Sequence, residues 1–219
     1  TNGKGAWKFS SSQYVQAAVT NVEAHLKRSN KSLPRRASSP LSTNYRPELD
    51  ISTELSFRDA AYYQSLIGVL RWIVELGRAD ITAEASIMAS YMASPRQGHL
   101  EEVFHIFGYL KIHHNCEMVF DPSEPEIIDT DFPQEDWSTS VYDGVKESLP
   151  HNAPEERGQG FIIRTYVDSD HAGLELTRRS RTGFLVFLNN APIYWFSRKQ
   201  NCIQTSSHGS ELHAMKVCC

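Results

Sequence analysis

Apolar residues recur at spacings of three and four along much of the first half of the chain. The pattern covers 11–28, 58–76, 80–93 and 99–113, and each stretch predicts an amphipathic helix. Short connections join the last three stretches, which predicts an antiparallel cluster. In the second stretch the apolar stripe contains Tyr62, Leu66, Ile67, Leu70, Ile73 and Val74. Gly68 lies in the same stretch, and its missing side chain predicts close packing of a neighbouring helix.

The period changes to alternation in the last quarter of the chain. Runs at 160–168, 183–189 and 192–198 are alternating or rich in β-branched and aromatic residues, so they predict three strands. Asn189-Asn190 separates the last two runs, and asparagine tolerates positive φ, which predicts a tight hairpin. Helical spacing returns over 207–219 and predicts a final helix with a serine at its N-cap.

Two long stretches follow neither period. Residues 29–55 are rich in Ser, Pro and Arg and predict an extended linker that lies across the following helices. Residues 121–159 are acidic and rich in proline and predict a long insertion, with Trp137 and Tyr142 as candidate anchors. A short strand is predicted just before it, at 116–120. We therefore expect four regions, 1–57, 58–120, 121–159 and 160–219.

Composition narrows the possible classes of protein. Of the 219 residues, 40% are hydrophobic, which is enough for a globular core in one or two domains. The formal net charge of −4 does not favour binding of nucleic acid over the whole surface, although 31–36 and 178–181 are locally basic. No apolar run is long enough to span a membrane and none has the form of a secretory signal, so no membrane association is expected.

The cysteines and histidines do not favour a metal centre. The cysteines are Cys116, Cys202, Cys218 and Cys219, and no two of them form a Cys-x-x-Cys pair. Free thiols in a reducing, intracellular compartment are therefore expected. His113 and His114 are adjacent, and adjacent residues of a helix point in different directions, which does not suit a shared ion.

Three acidic residues form the candidate site with the most defined chemistry. Asp168 and Asp170 end a predicted strand, and Glu211 lies in the first turns of the final predicted helix. A carboxylate at the end of a strand and another on a helix packed against it can share a hard divalent cation such as Mg2+. Two such ions can activate water on one side of a phosphodiester and stabilise the leaving oxygen on the other. Spacing alone favours the alternative, in which the three acids are solvated surface residues.

The order and wording of several motifs point to one family. Residues 166–173 read YVDSDHAG, residues 178–200 read RRSRTGFLVFLNNAPIYWFSRKQ, and residues 206–212 read SSHGSEL. Together they resemble the RNase H domain of copia-type LTR retrotransposon Pol polyproteins. Upstream, 62–81 resembles the region that joins the reverse transcriptase polymerase to RNase H, and 6–26 resembles the stretch that follows the polymerase palm. The resemblance therefore extends over nearly the whole chain.

The resemblance implies an α+β fold and a function. The implied architecture is a polymerase-derived helix and linker, a helical connection domain, an acidic linker or insertion, and a partial RNase H-like mixed sheet with its first helix. Asp168 and Glu211 match the catalytic residues, which hold Mg2+ or Mn2+, and Asp170 is a further candidate ligand. The implied activity is hydrolysis of the RNA strand of RNA–DNA hybrids during reverse transcription. The implied partners are the hybrid and the remainder of the polyprotein, in a cytoplasmic particle or the nucleus.

Departures from the family pattern set a limit on activity. A third metal-binding aspartate, on a later strand, and a fourth carboxylate have no counterpart in the sequence. Gly209 and Leu174 stand where many relatives carry acids. We therefore expect a fragment of a polyprotein that is inactive alone. The alternative is a non-catalytic nucleic-acid-binding module or a domesticated interaction module.

Basic residues flank the predicted hairpin beside the acidic site. They are Arg178, Arg179, Arg181, Arg198 and Lys199. Cations next to a carboxylate pair offset its repulsion of phosphates, which predicts contacts to the backbone of a bound hybrid. A solvated turn that contributes only to solubility is equally favoured.

Overall fold

The computed structural model describes residues 5–126, 141, 150–153, 158 and 160–219. Their α-helices are α1 (Ser12–Lys27), α2 (Phe57–Glu75), α3 (Thr82–Ala89), α4 (Gln97–Ile112) and α5 (Ser207–Cys218). Their strands are β1 (Trp7–Phe9), β2 (Met118–Phe120), β3 (Ile163–Asp170), β4 (Arg181–Leu188) and β5 (Ala191–Lys199). Short 3-10 helices occur at Pro47–Leu49 and Ala79–Ile81. This mixture of helices and antiparallel sheets is compatible with the expected α+β class.

One hydrophobic core joins the first four α-helices. Its buried members include Val15, Val22, Tyr63, Ile67, Leu70, Ile73, Ile81, Met88, Val103, Phe107 and Leu110. Helical spacing places these side chains on one face of each helix, where burial of apolar surface stabilises the packed unit. The core crosses the boundary expected at residues 57–58, because α1 packs against α2 and α4. The division into four regions stays a prediction. In the part of the chain that the structure describes, no helix is long and apolar enough to cross a membrane.

Tyr63 is fully buried in this core, at the place where the sequence pattern predicts Tyr62. Tyr62 is instead half-buried and stacks on the ring of His25, with 3.8 Å between the ring centroids. The Tyr63 hydroxyl donates a hydrogen bond of 2.7 Å to the carbonyl oxygen of Met88 in α3. Burial raises the pKa of Tyr63, so its hydroxyl remains a donor. This bond ties α2 to α3.

Tyr63→Phe is expected to lower the free energy of unfolding by about 1 kcal/mol. The substitution keeps the ring but removes the hydroxyl that donates to the carbonyl oxygen of Met88, which also accepts a backbone hydrogen bond from Tyr91. Urea denaturation followed by circular dichroism measures the change. Tyr62→Phe is the matched control and should be nearly neutral, because the described side-chain contacts of Tyr62 involve its ring. Equal losses in the two variants would contradict this role of the hydroxyl.

The linker before α2 approaches the helices at a glycine that the sequence pattern did not single out. Gly68 is exposed, and a Cβ there would meet no atom within 4 Å, so the prediction of close packing at Gly68 is wrong. The close approach is at Gly108 of α4, where a Cβ would lie 3.1 Å from the carbonyl oxygen of Pro34. Further along, the Ser42 hydroxyl donates a hydrogen bond of 3.0 Å to the Glu102 carboxylate of α4. The linker therefore lies across α4, as its composition predicts.

A buried arginine closes the turn between α2 and α3. The side chain of Arg78 is 2% exposed, and its guanidinium donates to both carboxylate oxygens of Asp80, at 2.8 and 2.7 Å. The Tyr109 hydroxyl of α4 donates a further hydrogen bond of 3.0 Å to Asp80. Burial, with the charge of Asp80, raises the pKa of Tyr109 to about 12, so this hydroxyl stays protonated. The cluster joins α4 to the turn.

Strands β3, β4 and β5 form an antiparallel sheet in that order. The register of β3 on β4 runs from Ile163 opposite Leu188 to Asp170 opposite Arg181. The predicted hairpin joins β4 to β5, and Asn189 has the positive φ, 53°, that such a turn requires. Strands β1 and β2 pair in a separate two-stranded sheet.

Two side chains fix the three-stranded sheet against the helices. The indole nitrogen of Trp195 in β5 donates a hydrogen bond of 3.2 Å to the carbonyl oxygen of Val74 in α2. The guanidinium of Arg181 in β4 donates one of 2.7 Å to the hydroxyl of Ser86 in α3. These contacts hold β5 beside α2 and β4 beside α3.

The side-chain amide of Asn189 holds the chain on both sides of the predicted insertion. Its oxygen accepts a hydrogen bond of 2.9 Å from the backbone N–H of Ile162, and its nitrogen donates one of 3.0 Å to the carbonyl oxygen of Pro122. Asn189 is 7% exposed. The predicted anchors of the insertion, Trp137 and Tyr142, lie outside the described residues.

Candidate active site

The start of α5 brings Glu211 to the backbone at the end of β3. Helix α5 begins after Ser206, whose hydroxyl accepts a hydrogen bond of 3.1 Å from the N–H of Gly209, as expected for a serine N-cap. Oε1 of Glu211 accepts a hydrogen bond of 3.3 Å from the backbone N–H of Ser169. Ser169 directly follows Asp168, so the helix carboxylate reaches the strand next to the first candidate aspartate.

A buried glutamine sets the position of α5 against the sheet. Gln200 is 3% exposed, and its Nε2 donates hydrogen bonds of 3.1 Å to the Thr182 hydroxyl and to the carbonyl oxygen of Ser210. Ser210 and Ala214 of α5 are completely buried. These contacts fix the helical turn that carries Glu211. Gln200 could not be identified from the sequence, because one glutamine after a strand produces no periodic signal.

Asp170 makes contacts within its own turn. It pairs with Arg181 across the sheet, and its carboxylate accepts a hydrogen bond from the Arg181 backbone N–H. Gly173 leaves room for this carboxylate, since a Cβ there would collide with it. Desolvation raises the pKa of Asp170; the Arg181 hydrogen bond opposes the rise, and the charge of Asp168 adds to it. The sequence candidate Asp170 therefore takes part in forming the β3–β4 turn.

Asp168 and Glu211 are the two acids that the sequence predicts to share one hard cation. Asp168 is exposed and Glu211 is half-buried. Two carboxylates can hold Mg2+ when water completes the octahedral coordination. Among the residues that the structure describes, no three His, Cys, Asp or Glu side chains are grouped closely enough to hold a metal ion. The magnesium site, and the part of Asp170 in it, stay predictions.

The five basic residues predicted to contact nucleic acid occupy three different places. Arg181 is half-buried and donates a hydrogen bond to α3, and desolvation lowers its pKa. Arg198 and Lys199 line a groove between β5 and the helices α2 and α3. Arg178 and Arg179 lie in the turn before β4, with Arg178 at a φ of 53°. Arg181 thus joins the sheet to α3. Phosphate contacts stay a prediction for all five residues.

Sequence comparison relates the chain to proteins of several kinds. It is 23% identical to an uncharacterised mitochondrial protein of Arabidopsis thaliana over 179 residues, which are 81% of this chain and 60% of that protein. It is 22% identical to the retrovirus-related Pol polyprotein from transposon RE1 of A. thaliana over 190 residues, 87% of this chain and 10% of the polyprotein. It is 23% identical to the secreted RxLR effector protein 161 of Plasmopara viticola over 153 residues, 70% of this chain and 83% of the effector. No family model and no solved structure matches the chain.

The similarity to the transposon RE1 polyprotein covers one part of a much longer protein. The chain spans 10% of that polyprotein and 60% of the mitochondrial protein. The motifs predict a retrotransposon Pol polyprotein, and the similarity to such polyproteins supports this part of the prediction. The copia type and the RNase H region stay predictions.

Proposed function

We propose that this chain is a region of a retrotransposon Pol polyprotein and contributes two carboxylates to a site that cleaves the RNA strand of RNA–DNA hybrids. The observation that carries the proposal is the hydrogen bond of 3.3 Å from the backbone N–H of Ser169, the residue that follows Asp168, to the Glu211 carboxylate. The similarity to the transposon RE1 polyprotein supports a polyprotein setting. Under this proposal the chain works inside the cell, in a cytoplasmic particle or the nucleus.

The two carboxylates have complementary tasks in such a site. Asp168 lies in a strand whose pairing with β4 fixes its backbone, and Glu211 lies on a helix that Gln200 holds in place. Together they would bind Mg2+ or Mn2+ and orient it toward a scissile phosphate. The bound ion supplies activation of water and stabilisation of the leaving oxygen. Further carboxylates from the polyprotein would hold a second ion.

A second candidate function is that of a non-catalytic nucleic-acid-binding or interaction module. Two observations favour it. Glu211 and Asp170 are already engaged with backbone N–H groups, so neither depends on a metal ion for a partner. The chain also spans 83% of the effector protein of P. viticola, which is not named as a polyprotein.

The purified chain is expected to bind divalent cations weakly and to leave an RNA–DNA hybrid uncleaved. Two carboxylates hold one ion with few protein ligands, and two-metal hydrolysis requires a second ion about 4 Å away. Mn2+ titration followed by paramagnetic line broadening measures binding. Asp168→Asn and Glu211→Gln should each weaken it by at least about tenfold, the scale known for changes around metal ligands.

Glu175→Gln is the matched control for this titration, because Glu175 is an exposed carboxylate in the turn before β4. Broadening that is unchanged in Asp168→Asn and Glu211→Gln would contradict a shared ion. Robust cleavage by the purified chain, abolished by Glu211→Gln, would show that the chain completes the site by itself. Hybrid binding that is independent of divalent cations and of both carboxylates would favour the non-catalytic module.

A further inference from the structure

The linker that lies across α4 contains a serine shortly after a pair of arginines. Residues 35–40 read RRASSP, so Ser38 has arginines two and three positions before it. Arg35, Arg36 and Ser38 are all exposed. Protein kinases select their substrates by complementary charge, and a kinase with acidic residues in its substrate groove prefers arginines shortly before the acceptor serine. The sequence around Ser38 therefore has the charge pattern of a phosphorylation site.

The groups that a kinase must reach are free within the described part of the chain. The Ser38 hydroxyl makes no hydrogen bond there, and the two arginines before it make neither an ion pair nor a hydrogen bond. The backbone N–H groups of residues 35–39 donate none to described residues either. Leu33, which precedes this segment, belongs to the hydrophobic core, and Ala37 is the buried residue within it. Because it has so few bonds, the segment can separate from the surface by a local opening that displaces one small side chain.

The structure distinguishes Ser38 from the serine that follows it. Ser39 precedes Pro40, an order that suits kinases that select proline. The Ser39 hydroxyl donates a hydrogen bond of 2.7 Å to the carbonyl oxygen of Leu41, and the Ser39 carbonyl oxygen lies 3.1 Å from Nε2 of His105. Phosphorylation of Ser39 would remove the first of these bonds, whereas phosphorylation of Ser38 breaks no hydrogen bond between described residues. Ser38 is therefore the favoured acceptor.

A second arginine pair provides a contrast within the same chain. Residues 178–182 read RRSRT, so Ser180 and Thr182 also follow arginines. Both are buried, at 1% and 2% exposure. The Ser180 hydroxyl accepts a hydrogen bond of 3.0 Å from the N–H of Ala172, and the Thr182 hydroxyl accepts one of 3.1 Å from Gln200. A kinase cannot reach these hydroxyls while the sheet is intact, so exposure favours the serine of the linker.

We infer that Ser38 is a phosphorylation site for a Ser/Thr protein kinase that recognises arginine. The Ser38 hydroxyl oxygen attacks the γ-phosphorus of ATP, so that an O–P bond forms and the bond from this phosphorus to the β,γ-bridging oxygen breaks. ADP leaves with the electron pair of the broken bond, and a base of the kinase takes the hydroxyl proton. This modification goes beyond the proposed cleavage function and does not depend on it.

The phosphate would change the charge of the linker. Residues 31–40 contain three cations, Lys31, Arg35 and Arg36, and no acid, so their formal charge is +3. A phosphoserine carries a charge of about −2, which lowers this sum to about +1. The fold should be unaffected, because the exposed Ser38 has no hydrogen bond to a described residue that the phosphate would break. The modification therefore acts on what the linker attracts.

Phosphate transfer to the purified chain tests the inference. The catalytic subunit of cAMP-dependent protein kinase, which selects arginine before serine, is the probe, with Mg-ATP as the co-substrate. Mass spectrometry of the intact chain and of its peptides should find a single phosphate, on Ser38. Arg36→Gln should lower kcat/KM of the kinase by at least about tenfold, because a charge-assisted contact with the kinase is lost. Arg58→Gln, also an exposed arginine, is the matched control and should leave kcat/KM unchanged.

Two serine variants identify the acceptor. Ser38→Ala should abolish incorporation, and Ser39→Ala should retain it. Thermal melts followed by circular dichroism should give the same midpoint for the unmodified chain, the phosphorylated chain and Ser38→Ala. The chain purified from eukaryotic cells in the presence of phosphatase inhibitors shows whether the site is used, and it should carry phosphate on Ser38.

Three results would overturn the inference. The first is no incorporation into the folded chain, and a synthetic peptide of residues 33–42 then shows whether the sequence or its position on α4 prevents it. The second is phosphate on Ser39, Ser180 or Thr182 in place of Ser38, in the kinase reaction or in cells, or no phosphate on Ser38 in cells. The third is an equal loss of kcat/KM in Arg58→Gln, which would indicate general attraction between the kinase and the surface.

Discussion

Asp168→Asn, introduced into a complete polyprotein that carries this region, is expected to lower cleavage of the RNA strand of a hybrid about a thousandfold. Metal ions at a phosphodiester contribute several kcal/mol of transition-state stabilisation, and each 1.36 kcal/mol corresponds to a factor of ten in rate. Asn keeps the size of the side chain and removes the charge that holds the ion. A hybrid with a labelled RNA strand, assayed in single turnover with Mg2+, measures the loss.

The same assay separates the three acidic candidates. Glu211→Gln should resemble Asp168→Asn, whereas Asp170→Asn should have a much smaller effect, because Asp170 binds the backbone of its own turn. Asp59→Asn, at the start of α2, is the control for the chemical change itself. Circular dichroism of the same preparations shows whether each polyprotein is folded. Undiminished cleavage by Asp168→Asn would refute its proposed role.

Asp80→Ala is expected to lower the free energy of unfolding by about 3 kcal/mol, because it leaves the buried guanidinium of Arg78 without its counter-charge. The value is at the low end of the range for such pairs, since the Asp80 side chain is 32% exposed. The hydrogen bond from Tyr109 is lost as well. Urea denaturation at pH 7 measures the change.

Two comparisons show whether the loss comes from the buried charge. The double variant Arg78→Met, Asp80→Ala removes both charged partners. It should recover a large part of the lost free energy of unfolding, because an apolar pair needs no counter-charge. Glu23→Ala removes the acid of the exposed Lys111–Glu23 pair, and it should cost less than about 1 kcal/mol. A double variant as unstable as Asp80→Ala would contradict the argument.

The contribution of Asp80 also depends on pH. Burial raises the pKa of Asp80, but hydrogen bonds and the charge of the Arg78 guanidinium lower it further, so the folded pKa lies below the ordinary value. The unfolded chain therefore binds this proton more readily than the folded protein. The stabilisation is present above the ordinary aspartate pKa of about 3.9 and is lost as the pH falls through the lower folded pKa. In Asp80→Ala this part of the acid sensitivity should disappear.

Long helices were predictable from the sequence, because their apolar stripes extend over several turns. α1, α2 and α4 begin and end within two residues of the predicted bounds. The stretch predicted as a helix over 80–93 is shorter: it begins in a 3-10 turn, and α3 ends at Ala89. The strand Trp7–Phe9 was missed, because three residues carry no detectable alternation and the strand forms by pairing with Met118–Phe120.

The sequence motifs identified the acidic residues of the site but not the contacts that position them. Asp168 and Glu211 were identified from the resemblance, and the structure shows Glu211 in contact with the backbone of Ser169, the residue after Asp168. The role of Arg181 could not be read from its basic neighbours, because its partner Ser86 is 95 residues away in sequence. Such a contact depends on how the sheet packs against α3, which local pattern does not encode.

The hydrogen bonds of Asn189 have a consequence for how the chain tolerates change in length. The Asn189 side chain binds the carbonyl oxygen of Pro122 and the N–H of Ile162. The residues before and after the predicted insertion are therefore both fixed at the β4–β5 hairpin. The register of the sheet is then independent of how many residues lie between them, and doubling that number costs only about 0.6 kcal/mol of closure entropy. The segment between Pro122 and Ile162 is therefore a suitable place to insert a foreign domain, because Asn189 holds the chain on both sides of it.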